Sequence, residues 1–96
     1  MGMGNVTSCE KLIYRVTTLD GGQKPDGSGN CPAGFHKARA WFNPDGGGDF
    51  HFYRQDADGS WSHKPGTSAA CPVKDPNKYN DYQNCGDVCL KNQPPR

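Results

Sequence analysis

The sequence predicts a small α+β domain, with one short N-terminal helix packed on a small antiparallel β-sheet, a meander that is rich in loops and stapled by disulfides. Only 32% of the 96 residues are hydrophobic, so the chain can build one small core at most. Two Trp, four Tyr, four Phe and five Cys supply rings to bury and cross-links where aliphatic side chains are few. Alternating side chains between Gly, Pro and Asp clusters indicate the strands. We expect one domain over residues 1–96, with residues 1–5 and 92–96 flexible.

A capping box predicts the helix. Thr7 precedes Glu10 by three residues, and apolar side chains follow at helical spacing, so we expect a helix over about residues 8–17. Cys9 would lie in its first turn, where unpaired amides and the helix dipole favour a thiolate. The alternative is that Cys9 is a small buried residue or one half of a disulfide.

Three strands follow in the predicted meander. Residues 34–42 alternate large and small side chains, and the small Ala38 and Ala40 suit a packed inner face. Residues 49–55 and 60–64 form the two arms of a β-hairpin around an Asp-Gly turn. His36 on the first strand is expected at the solvent edge of the sheet.

The length of the hairpin loop decides which side chains share a face, because a shift of one residue turns every side chain over. A three-residue loop at 57–59, closed by Gly59 in the left-handed conformation, places Gln55 opposite Trp61 and Tyr53 opposite His63. The residues on one face would then be His51, Tyr53, Gln55, Trp61 and His63. A two-residue Asp-Gly turn would instead separate the two histidines.

We favour the three-residue loop because it leaves Phe50 and Phe52 together on the opposite face as a core layer. Beyond the hairpin, Tyr79 and Tyr82 are expected to cover the sheet. Residues 85–90 read either as a short final strand or as a tight disulfide loop.

Five cysteines leave one unpaired in any connectivity within one chain. Cys31 and Cys71 each precede a proline in a loop and could join the two irregular segments, while Cys85 and Cys89 could bridge locally. Cys9 is then the odd thiol. A structural zinc site on Cys85 and Cys89 with a third cysteine or a histidine is the alternative, although Cys-x3-Cys is a weak zinc signal.

Charge and hydropathy exclude several classes of partner. Eleven Lys and Arg are dispersed among ten Asp and Glu, which argues against nucleic acid, and no apolar run approaches the length of a membrane span. Residues 56–59 resemble the first half of a calcium loop but lack its later Glu, so we expect an ordinary turn. We expect no cofactor, no metal and no membrane partner, and a monomeric chain that is secreted into an oxidising compartment.

The hairpin, with DFHFYRQ at residues 49–55 and DGSWSHKPG at residues 58–66, resembles a group of papain-like, NlpC-type cysteine amidase and peptidase domains. The resemblance continues more weakly at residues 75–76 and 85–89. It implies a cysteine at a helix N-terminus, a sheet histidine as base and a second histidine that orients the base. In this sequence those residues are Cys9, His51 and His63.

Two functions therefore compete. As a thiol hydrolase acting on a peptide or cell-wall-like amide, the chain would use His51 to take the Cys9 proton, with His63 fixing the tautomer. The expected substrate-binding residues are Tyr53 and Trp61 as cleft walls, with Arg54 or Lys64 meeting a carboxylate. The alternative is a non-catalytic, secreted binding or inhibitor module that uses the aromatic and histidine face. A third alternative is that the histidines only satisfy hydrogen bonds in a small aromatic core.

Overall fold

One helix and one five-stranded antiparallel sheet make up the chain in the computed structural model, which describes residues 8–45, 48–63 and 70–92. Helix α1 spans Cys9–Tyr14 and continues as a π-helical segment, Arg15–Leu19. The strands are β1 (Phe35–Asn43), β2 (Asp49–Gln55), β3 (Trp61–His63), β4 (Cys71–Pro72) and β5 (Gln83–Lys91). Their order in the sheet is β4-β3-β2-β1-β5. The predicted α+β class and the meander of β1, β2 and β3 are confirmed.

Helix α1 begins one residue later than the capping box predicts. The Ser8 side chain is the N-cap and accepts a hydrogen bond of 3.1 Å from the Lys11 N–H, while Thr7 lies outside the described residues. Cys9 is the first helical residue, as expected. The helix widens after Tyr14, where residues 16–18 are all β-branched and lose side-chain freedom in an α-helix.

The core lies between the helix and one face of the sheet, the helix face. Ala38 and Ala40 are almost completely buried on β1, and their small side chains let Leu12 and Val16 approach closely. The core cluster consists of Leu12, Val16, Ala38, Ala40, Phe42 and Val88. Phe52 packs against this core as expected. Phe50 shares the helix face but is 39% exposed, beside the Arg15 guanidinium.

The hairpin has the predicted three-residue loop. Arg54 pairs with Ser62 and Gln55 pairs with Trp61, which is the register that the shorter turn would not give. Gly59 has φ +89° and donates its N–H to the Asp56 carbonyl at 2.9 Å. Only glycine adopts this left-handed conformation without strain, so Gly59 fixes the loop length.

The disulfides differ from the predicted pairs. Cys9 is bonded to Cys85 and Cys31 is bonded to Cys89, with Cα–Cα distances of 5.1 and 5.6 Å. The predicted Cys31–Cys71 and Cys85–Cys89 bridges are therefore wrong. Residues 85 and 89 both lie on the extended strand β5, which holds their Cα atoms about 13 Å apart, well beyond disulfide reach.

The same pairing sets aside the zinc alternative, because Cys85 and Cys89, the two ligands it requires, are both oxidised. Within residues 8–45, 48–63 and 70–92, no group of three or more His, Cys, Asp or Glu side chains is arranged to hold a metal ion. The predicted ordinary turn at residues 56–59 is present. The remaining cysteine, Cys71, lies on β4 outside both bridges.

The structure describes the chain from residue 8 and as far as Asn92. Of the two segments expected to be flexible, 1–5 and 92–96, all residues except Asn92 lie outside the described part of the chain. Asn92 donates its N–H to the Gly34 carbonyl at 2.8 Å, and its side-chain oxygen is 2.7 Å from His36 Nδ1. No helix in the described part of the chain is long and apolar enough to cross a membrane.

Candidate functional site

A pair of hydrogen-bonded histidines lies on the sheet face opposite the helix, which we call the histidine face. His51 Nε2 on β2 and His63 Nδ1 on β3 are 2.8 Å apart. The three-residue loop places both side chains on this face, so the predicted juxtaposition is confirmed. Because one ring nitrogen must donate and the other accept, the intact pair binds at most one proton beyond its neutral form.

Tyr79 and Tyr53 both pack against the histidine pair. Tyr79 stacks on His51 with ring centroids 4.4 Å apart and planes inclined by 16°, which confirms its predicted place over the sheet. Tyr53 is 5% exposed and donates its hydroxyl to the Lys78 carbonyl at 2.9 Å. Trp41 packs edge-on against Tyr53 beneath them, and its buried indole N–H has no hydrogen-bond partner in the described part of the chain. The site is therefore ordered by packing as well as by hydrogen bonds.

Arg39 fastens the following segment to the sheet. Its guanidinium forms two hydrogen bonds with the Asp87 carboxylate, at 2.7 and 3.1 Å, and donates to the Pro76 carbonyl at 3.0 Å. The same guanidinium lies 4.4 Å from the centre of the Trp61 ring. Trp61 thus packs on Arg39. The segment that carries Tyr79 is held to the sheet at two carbonyls, that of Pro76 by Arg39 and that of Lys78 by Tyr53.

A hollow of about 540 Å³ opens beside the histidine pair. This volume falls in the range of small-ligand sites. Its lining residues are Tyr53, His63, Pro72, Val73, Lys74, Asp75, Lys78, Tyr79 and Asn80. The two lysines and the single aspartate give the lining an excess of positive charge. Of the predicted substrate-binding residues that the structure describes, only Tyr53 lines this hollow.

Arg54 does not line that hollow. Arg54 pairs with Ala38 across the strands and therefore lies on the helix face, where it meets Asp56 at 3.6 Å. It lines a separate hollow of about 610 Å³ that both histidines also reach. Lys64 lies outside the described residues.

The surroundings of His51 and Tyr53 shift the pKa values of both side chains. Burial lowers the pKa of His51, and the nearby charge of His63 lowers it further, while the Asp49 carboxylate acts in the opposite direction. Burial also raises the pKa of the Tyr53 hydroxyl, with Tyr79 and Asp75 adding to that effect. These surroundings therefore favour the neutral form of the His51 ring.

Cys9 is not brought to the histidines. Helix α1 packs over Ala38 and Ala40, whereas His51 lies on the other face of the sheet, and the Cys9 sulfur is bonded to Cys85. The expectation that Cys9 is the odd thiol is therefore wrong. A larger hollow of about 1020 Å³ adjoins this bridge, but no histidine lines it.

Cys71 is the cysteine that lies near the histidine pair. It stands directly opposite His63 in the β3–β4 register, a position in which Cβ atoms are about 4.5–5.5 Å apart. Sequence reasoning missed this neighbour because it assigned Cys71 to a bridge. The available signal was the spacing of eight residues between positions 63 and 71, which suits a strand returning beside β3.

No protein-family model, curated protein or solved structure matches this chain.

Proposed function

We propose that the protein is a secreted, disulfide-stapled binding module that recognises a peptide at the hollow beside His63. The observation that carries the proposal is the hydrogen-bonded histidine pair, stacked under Tyr79 at the edge of that hollow. Such a surface combines aromatic area with directional polar groups, which is the usual composition of a protein-binding hot spot. Two disulfides suit an oxidising, extracellular compartment.

Rigidity supports the proposal. Tyr79 is positioned by its stack on His51, and the neighbouring Lys78 carbonyl is held by Tyr53. A ligand would therefore meet side chains that are already ordered, and less conformational entropy would be lost on binding. The exposed Lys74 and Lys78 side chains make no ion pair among the described residues, so their charges remain available to a ligand.

The test is selection of random linear peptides against the immobilised protein, followed by calorimetry of a selected synthetic peptide. Tyr79→Ala should weaken binding by tenfold or more, roughly the loss of one aromatic hot spot. Tyr14→Ala is the matched control, because Tyr14 is 60% exposed and lines the larger hollow beside the Cys9–Cys85 bridge. Peptides that lose affinity with Tyr14→Ala and not with Tyr79→Ala would refute the assignment of the site.

A second candidate is a thiol hydrolase in which Cys71, rather than Cys9, is the nucleophile. It is favoured by the position of Cys71 opposite His63, which in turn is oriented by His51. His63 would take the thiol proton and the sulfur would attack an amide carbonyl; the C–N bond would then break as His63 returns the proton to the leaving amine, and water would hydrolyse the thioester to release the acid and regenerate the thiol. Amide turnover that is abolished by Cys71→Ser and retained after removal of the Cys9–Cys85 bridge would support this function. Absence of turnover on peptide and cell-wall amides would refute it.

A further inference from the structure

We infer that the ligand of the hollow carries a carboxylate, and that the histidine pair tightens its binding by taking up one proton. The inference rests on the proposed function, because it names the chemical class that the same site recognises. An anionic ligand is therefore bound more tightly in mildly acidic solution than at higher pH.

Charge is the first argument. Lys74, Lys78 and Asp75 line the hollow, so its described lining holds one more positive than negative side chain at neutral pH. An anionic group is attracted to this surface, and a neutral group is not. The aromatic walls Tyr53 and Tyr79 leave room for an apolar body next to the charge.

The hydrogen bond between the two rings is compatible with an added proton on His63. His51 is stacked beneath Tyr79, whereas His63 lines the hollow. When His63 carries both ring protons, its Nδ1–H donates to His51 Nε2 and its Nε2–H is available for another acceptor. The bond between the rings therefore survives the first proton, and the new positive charge belongs to the ring that borders the hollow.

Other charged groups face the pair and set its baseline. Asp49 on β2 favours the charged form of His51, and Tyr53, Tyr79 and Cys71 border the two rings. Arg54 and Asp56, of opposite charge, share the second hollow with both histidines. Their charges are 3.6 Å apart and therefore oppose each other at the pair.

Linkage gives the expected size of the effect. A carboxylate bound beside His63 stabilises the protonated pair, and the protonated pair stabilises the carboxylate by the same factor. For a partly exposed pair of charges we expect affinity to rise roughly three- to tenfold when the pH falls from about 8 to about 5.5. A second proton would break the bond between the rings, so the gain should end at lower pH.

The experiment uses two small probes that differ in charge alone. N-acetylphenylalanine carries a carboxylate, and N-acetylphenylalaninamide carries a neutral amide on the same aromatic body. Binding is followed by NMR through the backbone amides of Tyr53, His63, Lys78 and Asn80, at about pH 8 and about pH 5.5. The acid should bind more tightly at the lower pH, and the amide should show no such change.

Two variants identify the titrating group. His63→Gln keeps a polar side chain but cannot take up charge, so it should abolish the pH dependence of the acid probe. His36→Gln is the control, because His36 contacts Asn92 at the far end of β1 and should leave the dependence unchanged. A dependence that persists in His63→Gln, or equal binding of both probes, overturns the inference and leaves the proposed function standing. If neither probe shifts these amides while a selected peptide does, carboxylate recognition is overturned; if the selected peptide also fails to shift them, the proposed site is overturned too.

Discussion

Removal of the Cys9–Cys85 bridge, by Cys9→Ala together with Cys85→Ala, should destabilise the protein by about 3.5 kcal/mol. The two residues are 76 positions apart, but with the Cys31–Cys89 bridge intact a shorter covalent path exists. It runs from Cys9 to Cys31, across that bridge, and from Cys89 back to Cys85. This path closes a loop of about 26 residues, for which the chain-entropy relation gives about 3.5 kcal/mol at 25 °C.

Thermal and urea unfolding measure this loss. For a domain of this size, about 3.5 kcal/mol corresponds to a fall of about 15–20 °C in Tm. The double variant Cys31→Ala with Cys89→Ala opens a loop of the same effective length. It should lower the free energy of unfolding by more, because Cys89 is fully buried and its replacement also leaves a cavity. Cys71→Ala removes neither bridge and should shift Tm much less.

Peptide mapping under non-reducing conditions tests the connectivity directly. Recovery of a peptide that joins Cys31 to Cys71, or of one closed between Cys85 and Cys89, would refute the reasoning. A loss below about 1 kcal/mol in the Cys9 and Cys85 double variant would show that the bridge does not restrict the unfolded chain as the loop argument requires.

Three further outcomes are expected. Arg39→Lys keeps the charge but loses the two-pronged contact with Asp87, and should lower the free energy of unfolding by about 2 kcal/mol in urea titrations. Because the pKa of His51 is lowered on folding, stability should be complete above the unfolded value of about 6.5 and decline as the pH falls from there towards the folded pKa; His51→Gln should flatten this decline in urea midpoints. The hydrogen bond to the Asp49 carboxylate raises the pKa of Tyr82 to about 12, so ultraviolet titration should show a late tyrosine that ionises earlier in Asp49→Asn.

Each of these has a clear contrary result. Equal urea midpoints for wild type and Arg39→Lys would mean that a single charge suffices at this position. A decline in stability that persists in His51→Gln would assign the acid sensitivity to another group. A Tyr82→Phe variant that still shows the late ionisation would place it on a different tyrosine.

The parts of the fold that depend on local geometry could be predicted from the sequence. Gly59 fixes the hairpin loop, and alternation along β2 and β3 then places His51 and His63 on one face. The cysteine pairing could not be predicted, because it depends on which strand lies beside β1. That strand is β5, which brings Cys89 to the loop containing Cys31 through the backbone bonds at Gln23.

The same distinction applies to the candidate site. The histidine pair follows from short-range register, whereas the distance between Cys9 and the histidines depends on which face of the sheet the helix covers. Ala38 and Ala40 lie on the covered face, and nothing local to Cys9 encodes that choice. Cys71 came beside His63 through the pairing of β3 with the very short β4.

Both disulfides attach to β5, and this unequal distribution divides the sheet mechanically. Cys85 and Cys89 lock one margin to the helix and to the loop at Cys31, whereas neither of these two bridges reaches β3 or β4. Local opening should start at the untied margin, and amide hydrogens there should exchange with solvent well before those of β1 and β5. The hollow beside His63 borders that margin. A ligand bound between β3 and the segment around Tyr79 would therefore act as a reversible cross-link at this margin. It would slow amide exchange in β3 even where the melting temperature barely changes.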